Sequence, residues 1–380
     1  MQLKKLCAMV LLLFLLDACD KNQESILVDS ADQTNLCAHW KTLPKGIIFV
    51  QNGSKIYVGD AAAPRIMVIS PTLNIVEKEI TTVGPIRAIS SSPDGQYAYA
   101  VISKLNENNL FIIDTKTDEI IREVKLGGGY PREIAPGSNA TACIIWSDPD
   151  KISVVNLDKD NIKVVREFAN ENSSSAIGLD SSMIYIANDK KLQSINLING
   201  KKYSPIPLAG FGQGLSIKPN GREIAVATST MFEKGRVVFI NVKDKSVLSD
   251  VAIPGSPDKV LYTNDGKKIL VTTYLLKSIT ASGANGSSSS HLEEYGPPTI
   301  IVIDAKNHQI ITTIPIKSSI GDGVVSPNSK YAYFITQKFV SNNPIIVNFS
   351  IAIIDLTINR VVGEIPVAMP VKKNAAKKCM

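Results

Sequence analysis

From Gly46 onward the apolar positions of the chain recur with period two, in short runs such as "YAYAV" (Tyr97 to Val101), "LFIID" (Leu110 to Asp114) and "IIREVKL" (Ile120 to Leu126). These runs are rich in β-branched and aromatic residues, the composition and period of strands. No stretch beyond the N-terminal leader shows helical spacing. One phrase also repeats: "SSPDGQYAYAV" at Ser91 to Val101 returns as "VSPNSKYAYFI" at Val325 to Ile335.

Turn signals make the repeat countable. Asp/Asn-Gly pairs or their degraded forms stand at Asn52-Gly53, Asp94-Gly95, Ser138-Asn139, Ser181-Ser182, Asn220-Gly221, Asp265-Gly266 and Asn328-Ser329. A second series closes strands with a short polar residue, at Ser70, Asp114, Asn156, Asn196, Asn241, Asp304 and Asp355, in strict alternation with the first. Such side chains can accept the backbone amide two residues on and start a turn. Each of the seven repeats therefore reads as four short strands, an inner one before the Gly turn and an outer one after the second turn. Units of four strands at a period near 40 to 50 residues predict a β-propeller, because no single blade can bury both of its faces alone. The predicted fold is all-β, a seven-bladed propeller over 46–370. Ring closure needs no exchanged strand, since blade 1 is complete from "GIIFV" and blade 7 runs through "VVGEIPV".

The phrases "SPDGQYAYAV", "LFIIDTKTDEIIREVKLG", "TIIVIDAKNHQIITTIPI" and "IAIIDLTINRVVGEIPV" resemble the YVTN-type β-propeller repeat. The resemblance is strong in blades 2, 6 and 7 and degenerate in blades 3 and 4. It implies an extracytoplasmic seven-bladed propeller similar to the YncE-like proteins, and it implies no reaction, since the fold hosts binders, scaffolds and enzymes alike.

The ends of the chain bear on location. Lys4 and Lys5 precede the apolar run "LCAMVLLLFLL", which has the length of a secretory signal core and is too short to span a bilayer. The run ends in Leu16-Asp17-Ala18-Cys19, which resembles the lipobox of bacterial lipoproteins. Residues 1–18 are read as a signal peptide and 19–45 as a lipid-anchored segment, with Cys19 the lipidated residue. Ordinary cleavage and an uncleaved anchor are the alternatives. The location expected is the periplasm, on the membrane of a bacterial envelope. Of the formal net charge of +6, the leader contributes +1 (Lys4 and Lys5 against Asp17) and the tail 371–380 contributes +4 through Lys372, Lys373, Lys377 and Lys378, leaving +1 for the body. A nearly neutral body lacks the basic face of a nucleic-acid binder. With Cys7 in the signal and Cys19 lipidated, Cys37, Cys143 and Cys379 remain. Cys143, in the apolar run "TACIIW", is read as a buried small hydrophobe, and Cys37 with Cys379 is the pair chosen if one forms.

Function is read from the channel mouth. Aligning the inner strands on their turns brings one position into register: Lys45, Arg87, Arg132, Ser175, Gln213, Asp258 and Asp322. Bases gather on blades 1 to 3 and acids on blades 6 and 7, a polarity suited to orienting a charged peptide or small anion. Ordinary polar residues facing channel water are the alternative. The segment 277–298, "KSITASGANGSSSSHLEEYGPP", has the composition of a flexible linker inserted between the second and third strands of blade 6. Blade 7 adds "QKFVSNNPIIVNF" at the equivalent place, read as extended strands or as an exposed patch. His39, His291 and His308 lie away from the expected axis, and the chain has no metal-spacing cluster, phosphate loop, Gly-x-Ser-x-Gly or haem-attachment pair. No cofactor or metal is expected. The reading is a non-catalytic binding or scaffold module for a protein or other envelope component. The alternative is a hydrolase, similar to the propeller lactonases, acting at the channel mouth.

Overall fold

A computed structural model describes residues 43–367, apart from 105–106, 138–140, 148–150, 158–162, 170–175, 181–182, 231–233, 283–287, 295 and 343–344. Seven four-stranded antiparallel sheets follow one another along the chain as blades: 44–81, 86–126, 130–169, 176–207, 211–254, 256–315 and 319–366. Every sheet is built from consecutive strands, except that a separate two-stranded sheet interrupts blade 6. Blade 1 opens with its own inner strand, Pro44–Val50, so the ring closes without an exchanged strand.

The turn chemistry forms as the sequence implies. In the third-to-fourth strand turns, Asp114, Asn196, Asn241, Asp304 and Asp355 each accept a backbone N–H two residues on, all at 2.8 Å. In the first-to-second strand turns the Gly position is left-handed, at φ 67° for Gly95 and Gly266; in blade 7 Ser329 adopts φ 57° in its place. The turn is then held by Asn328, which accepts the Lys330 N–H at 3.0 Å.

Middle strands are buried on both faces, which is why "KIYVGD" and "TIIVID" read as nearly continuous apolar runs. Seven apolar clusters result, one in each junction between consecutive blades. The cluster between blades 7 and 1 unites Met67 and Ile56 with Ile351 and Tyr333 and seals the ring. Phe49 packs edge-on against Tyr333 there, ring centres 5.3 Å apart. Cys143 is fully buried between blades 3 and 4, and burial pushes its thiol up to about 12.

A polar clasp repeats at three junctions on the face opposite the channel mouth. A lysine of one blade reaches a backbone carbonyl in the outer turn of the next: Lys55 to Thr115 at 3.0 Å, Lys218 to Ala305 at 2.7 Å, and Lys268 to Leu356. The left-handed residue of the same turn completes the clasp. Asp118 takes Lys55 and Lys78, each at 2.7 Å, together with the Tyr57 hydroxyl. Asn359 takes Lys268 at 2.9 Å. At blades 5 and 6 the acid sits on the other blade: Glu223 of blade 5 pairs with Lys218 at 3.2 Å, accepts the Tyr262 hydroxyl at 2.6 Å and faces the left-handed His308 at 3.3 Å, while the His308 ring stacks on Phe239. His308 is thus a junction residue and lies off the axis.

Burial pushes the Asp118 carboxyl up, but Lys55, Lys78 and Tyr57 together outweigh it and hold it below the usual range. A depressed pKa means stability that is present above the unfolded-state value of about 3.9 and is lost as pH falls through the folded-state value. Asp118→Asn is therefore expected to destabilise the protein by about 2 kcal/mol at neutral pH, since the Lys55 ammonium loses its charged partner and keeps only the Thr115 carbonyl. Thermal melts of both proteins at pH 7 and pH 3 check this; the gap should narrow in acid.

Candidate functional site

The inner strands start at one end of the axial channel, and six of the seven carry a β-bulge there. Pairing with the second strand slips between Pro44 and Ile47, between Ile86 and Ala88, opposite Ile145 and Trp146, between Gly212 and Gly214, between Pro257 and Val260, and between Ile320 and Gly323. The extra residues are Lys45, Arg87, Arg132, Gln213, Asp258 and Asp322, with Gly46, Lys259 and Gly321 beside three of them. A bulge leaves its extra residue out of the ladder and re-aims its side chain. All six predicted residues consequently line one axial cavity of about 640 Å³. Ser175, the seventh, lies outside the described residues. Close approach of the blades holds the bulges in place: a Cβ on Gly214 would stand 2.5 Å from the Asp258 carbonyl oxygen.

The charge pattern corrects the expected polarity. Glu133 on blade 3 and Lys259 on blade 6 also line the cavity, so neither wall is of one sign. Lys259 pairs with Asp322 at 3.2 Å, and Asp322 accepts the Gly46 N–H at 3.1 Å, which ties blade 7 to blade 1. Lys259, helped by that N–H, holds the Asp322 carboxyl below the usual range, and Asp322 in turn raises the Lys259 ammonium. Asp258 and Glu133 move the other way. Burial inside the ring pushes Asp258 up against the pull of Lys259, and pushes Glu133 up to about 7 against Lys259 and Arg132. The Glu133 side chain still meets channel water, so screening limits that push. Sequence register missed Glu133 and Lys259 because strict alternation assigns the residue after each ring position to the sheet.

Two hairpins rise from the mouth. The second strand ends beside the start of the inner strand, as in the pairs Ser256 with Tyr274 and Ser319 with Gln337, so whatever joins strands two and three leaves on the mouth face. In blade 6 the insertion forms an antiparallel hairpin, Leu276–Ser282 paired with Ser288–Glu294. The flexible linker expected there is thus corrected. The chain already runs antiparallel on leaving the blade, and Ser, Thr and Ile at 278–280 tolerate the extended backbone. Pro297 and Pro298 cannot donate to a ladder, which separates the hairpin from the blade sheet. In blade 7 strands two and three continue as Tyr331–Asn342 and Ile345–Asp355, 12 and 11 residues long. Phe349 is buried against the blade 7 and blade 1 cluster.

Among the described residues no group of three or more His, Cys, Asp or Glu is placed to hold a metal. His39, Cys19, Cys37 and Cys379 lie outside the described residues.

No family model matches the chain, and no curated protein matches it by sequence. Among solved structures it is similar to the dihydro-heme d1 dehydrogenase NirN in complex with DHE, with a TM-score of 0.58 and 13% identity, over 86% of this chain and 66% of that one. It is also similar to the β-propeller domain of Cps50 (Swd1) from Myceliophteria thermophila, with a TM-score of 0.56 and 12% identity, over 78% of this chain and 94% of that one. At these identities the likeness is one of fold, a seven-bladed β-propeller with four antiparallel strands per blade.

Proposed function

We propose that this chain is an extracytoplasmic propeller of the YVTN type, lipid-anchored through Cys19, that holds a protein or another envelope component on its channel-mouth face and catalyses nothing. The observation that carries the reading is the pair of hairpins on adjacent blades 6 and 7, which stand beside the charged mouth on a single face. Projecting hairpins over a polar ring offer strand edges and a charged surface to a macromolecule. The leader and Leu16-Asp17-Ala18-Cys19 support export and anchoring, since two or more acyl chains give stable attachment.

The test has two arms. Cys19→Ser should move the protein from the membrane to the soluble periplasmic fraction; retention after a carbonate wash overturns the anchor. Mild crosslinking and affinity capture of the anchored protein should then yield a stoichiometric partner that is lost when 276–294 is replaced by a short Gly-Ser turn. Folding should survive that replacement, because the hairpin forms its own sheet and loop length changes closure entropy only slowly.

One observation favours a second reading, a hydrolase at the channel mouth. Glu133, pushed upward by burial inside a cavity that channel water still screens, moves toward the range of a general base. Turnover of any ester or lactone that is abolished by Glu133→Gln would replace the binding reading with this one.

A further inference from the structure

The outer strands form the circumference of the ring, and they share one irregularity at one height. In six blades the outer strand slips opposite the residue just before the turn-closing Asp, Asn or Ser, so that one of its residues is left out of the ladder. On five blades that extra residue is aliphatic: Ile121, Val165, Leu248, Ile311 and Val362, each 45 to 51% exposed. A bulge blunts an outer edge against pairing with another chain. A charge serves that end, as Glu77 does in blade 1, so edge protection leaves the repeated aliphatic unexplained. The outer turns extend the pattern. Leu73, Ile198 and Ile358 stand at the turn tips of blades 1, 4 and 7 and, at 63, 74 and 57%, are the most exposed large aliphatics among the described residues. The tips of blades 2, 5 and 6 carry exposed Lys116, Lys243 and Lys306 instead. The acids of those turns, Asp114, Asp244 and Asp304, are turned back onto the amides of their own turns. Every blade thus presents an aliphatic side chain at the rim opposite the channel mouth. Among the described residues fourteen large apolar side chains are exposed, and of these only Val83 and Phe211 lie at the mouth end. Single exposed aliphatics need no explanation; a girdle in register round the ring does.

We propose that this rim docks on a lipid surface: the tip and bulge aliphatics sink into the headgroup region of a bilayer, the three tip lysines meet anionic phosphates, and the channel mouth with its hairpins faces away from the membrane. A girdle present on all seven blades fits a flat, continuous surface, whereas a protein partner or a second copy would bury only a sector of it. The depth also fits. The bulge residues stand one or two ladder positions above the turns, about 3–7 Å along the strand, within the roughly 5–10 Å to which interfacial elements sink. Lysines near an anionic leaflet add electrostatic attraction. Residues 20–42, 23 in number, reach about 75 Å when extended. That exceeds the height of a blade, roughly 25 Å for strands of six to eight residues, so an acyl group on Cys19 reaches the same bilayer. The rim itself does not depend on that group.

The experiment is flotation of the chain from residue 19 with Cys19→Ser, which carries neither leader nor acyl group, on vesicles of phosphatidylethanolamine and phosphatidylglycerol. This parent should float with the vesicles. Two sets of changes read the girdle: Ile121→Ser, Leu248→Ser, Ile311→Ser and Val362→Ser together, and Leu73→Ser, Ile198→Ser and Ile358→Ser together. Each set should lower partitioning about tenfold or more. The tip set should leave the thermal melt unchanged, which keeps the test open should the bulge set fold poorly. Val83→Ser with Phe211→Ser, at the mouth end, should float as the parent does. No flotation, or equal flotation of parent and both girdle sets, overturns the proposal; any attachment left would run through the basic tail 371–380 that all of them share. An equal loss in the mouth-end pair overturns it as well. So does a parent oligomer on gel filtration that the girdle sets turn into monomer, since the rim would then join copies of this chain. Rim contact is peripheral and is stripped by carbonate, so the carbonate-washed fraction still reports the acyl anchor alone, and failure of the anchor and failure of the rim are told apart.

Discussion

Ile113→Asp is expected to abolish the cooperative thermal transition. Ile113 lies in the third strand of blade 2 and is fully buried in the cluster shared with blade 1, against Ile66, Val68 and Ala98. A carboxylate placed there finds apolar neighbours on both faces. It must either stay charged without a partner or take up a proton, and burying an unpaired polar group costs several kcal/mol. That is a large share of the roughly 5–15 kcal/mol by which domains are stable. The ring magnifies the loss, since the junction of blades 1 and 2 helps hold a closed circle with no free edge. Ile113→Val, which keeps the shape of the site, should cost only about 1 kcal/mol. Circular dichroism melts and gel filtration of both variants check the pair. An unchanged melt for the Asp variant would contradict the strand assignment.

Much of this architecture is legible in the sequence because its punctuation is local. An Asp that closes a strand makes its own turn bond, and that bond forms at Asp114, Asp304 and Asp355 as the spacing implies. The ring register is legible for the same reason, since turn position fixes how far each inner strand extends. What alternation hides is the bulge. At "PRE" and "PDK" one residue is inserted where the strand turns into the channel, so Arg132 with Glu133, and Asp258 with Lys259, face the same cavity. A signal was present: a charged residue in the position that alternation assigns to the sheet interior has no apolar reason to be there. The blade 6 insertion was hidden by composition instead. Ser and Gly favour flexible chain on average, yet two segments leaving antiparallel strands need no side-chain preference to keep pairing. The clasps escape sequence reading altogether, since Lys55 and Asp118 are brought together only by stacking of successive blades.

Reversing Arg87 and Arg132 together to Glu is expected to weaken partner binding by about tenfold or more and to flatten its salt dependence, while the melt moves little. Charges at a polar mouth steer and orient a partner, and their removal lowers the salt-sensitive part of association. They contribute little to folding where water reaches them. The proper control reverses two lysines on the opposite face. Lys245 is unsuitable, because its ammonium lies 4.2 Å from the centre of the Tyr203 ring and its backbone is left-handed at φ 62°. Lys243 and Lys306, in the outer turns of blades 5 and 6, are exposed and change net charge equally. Lys243→Glu with Lys306→Glu should leave capture and its salt slope as in the parent. If the control pair weakens binding as much as the mouth pair does, the partner answers to net charge alone, and the channel mouth is not the working surface.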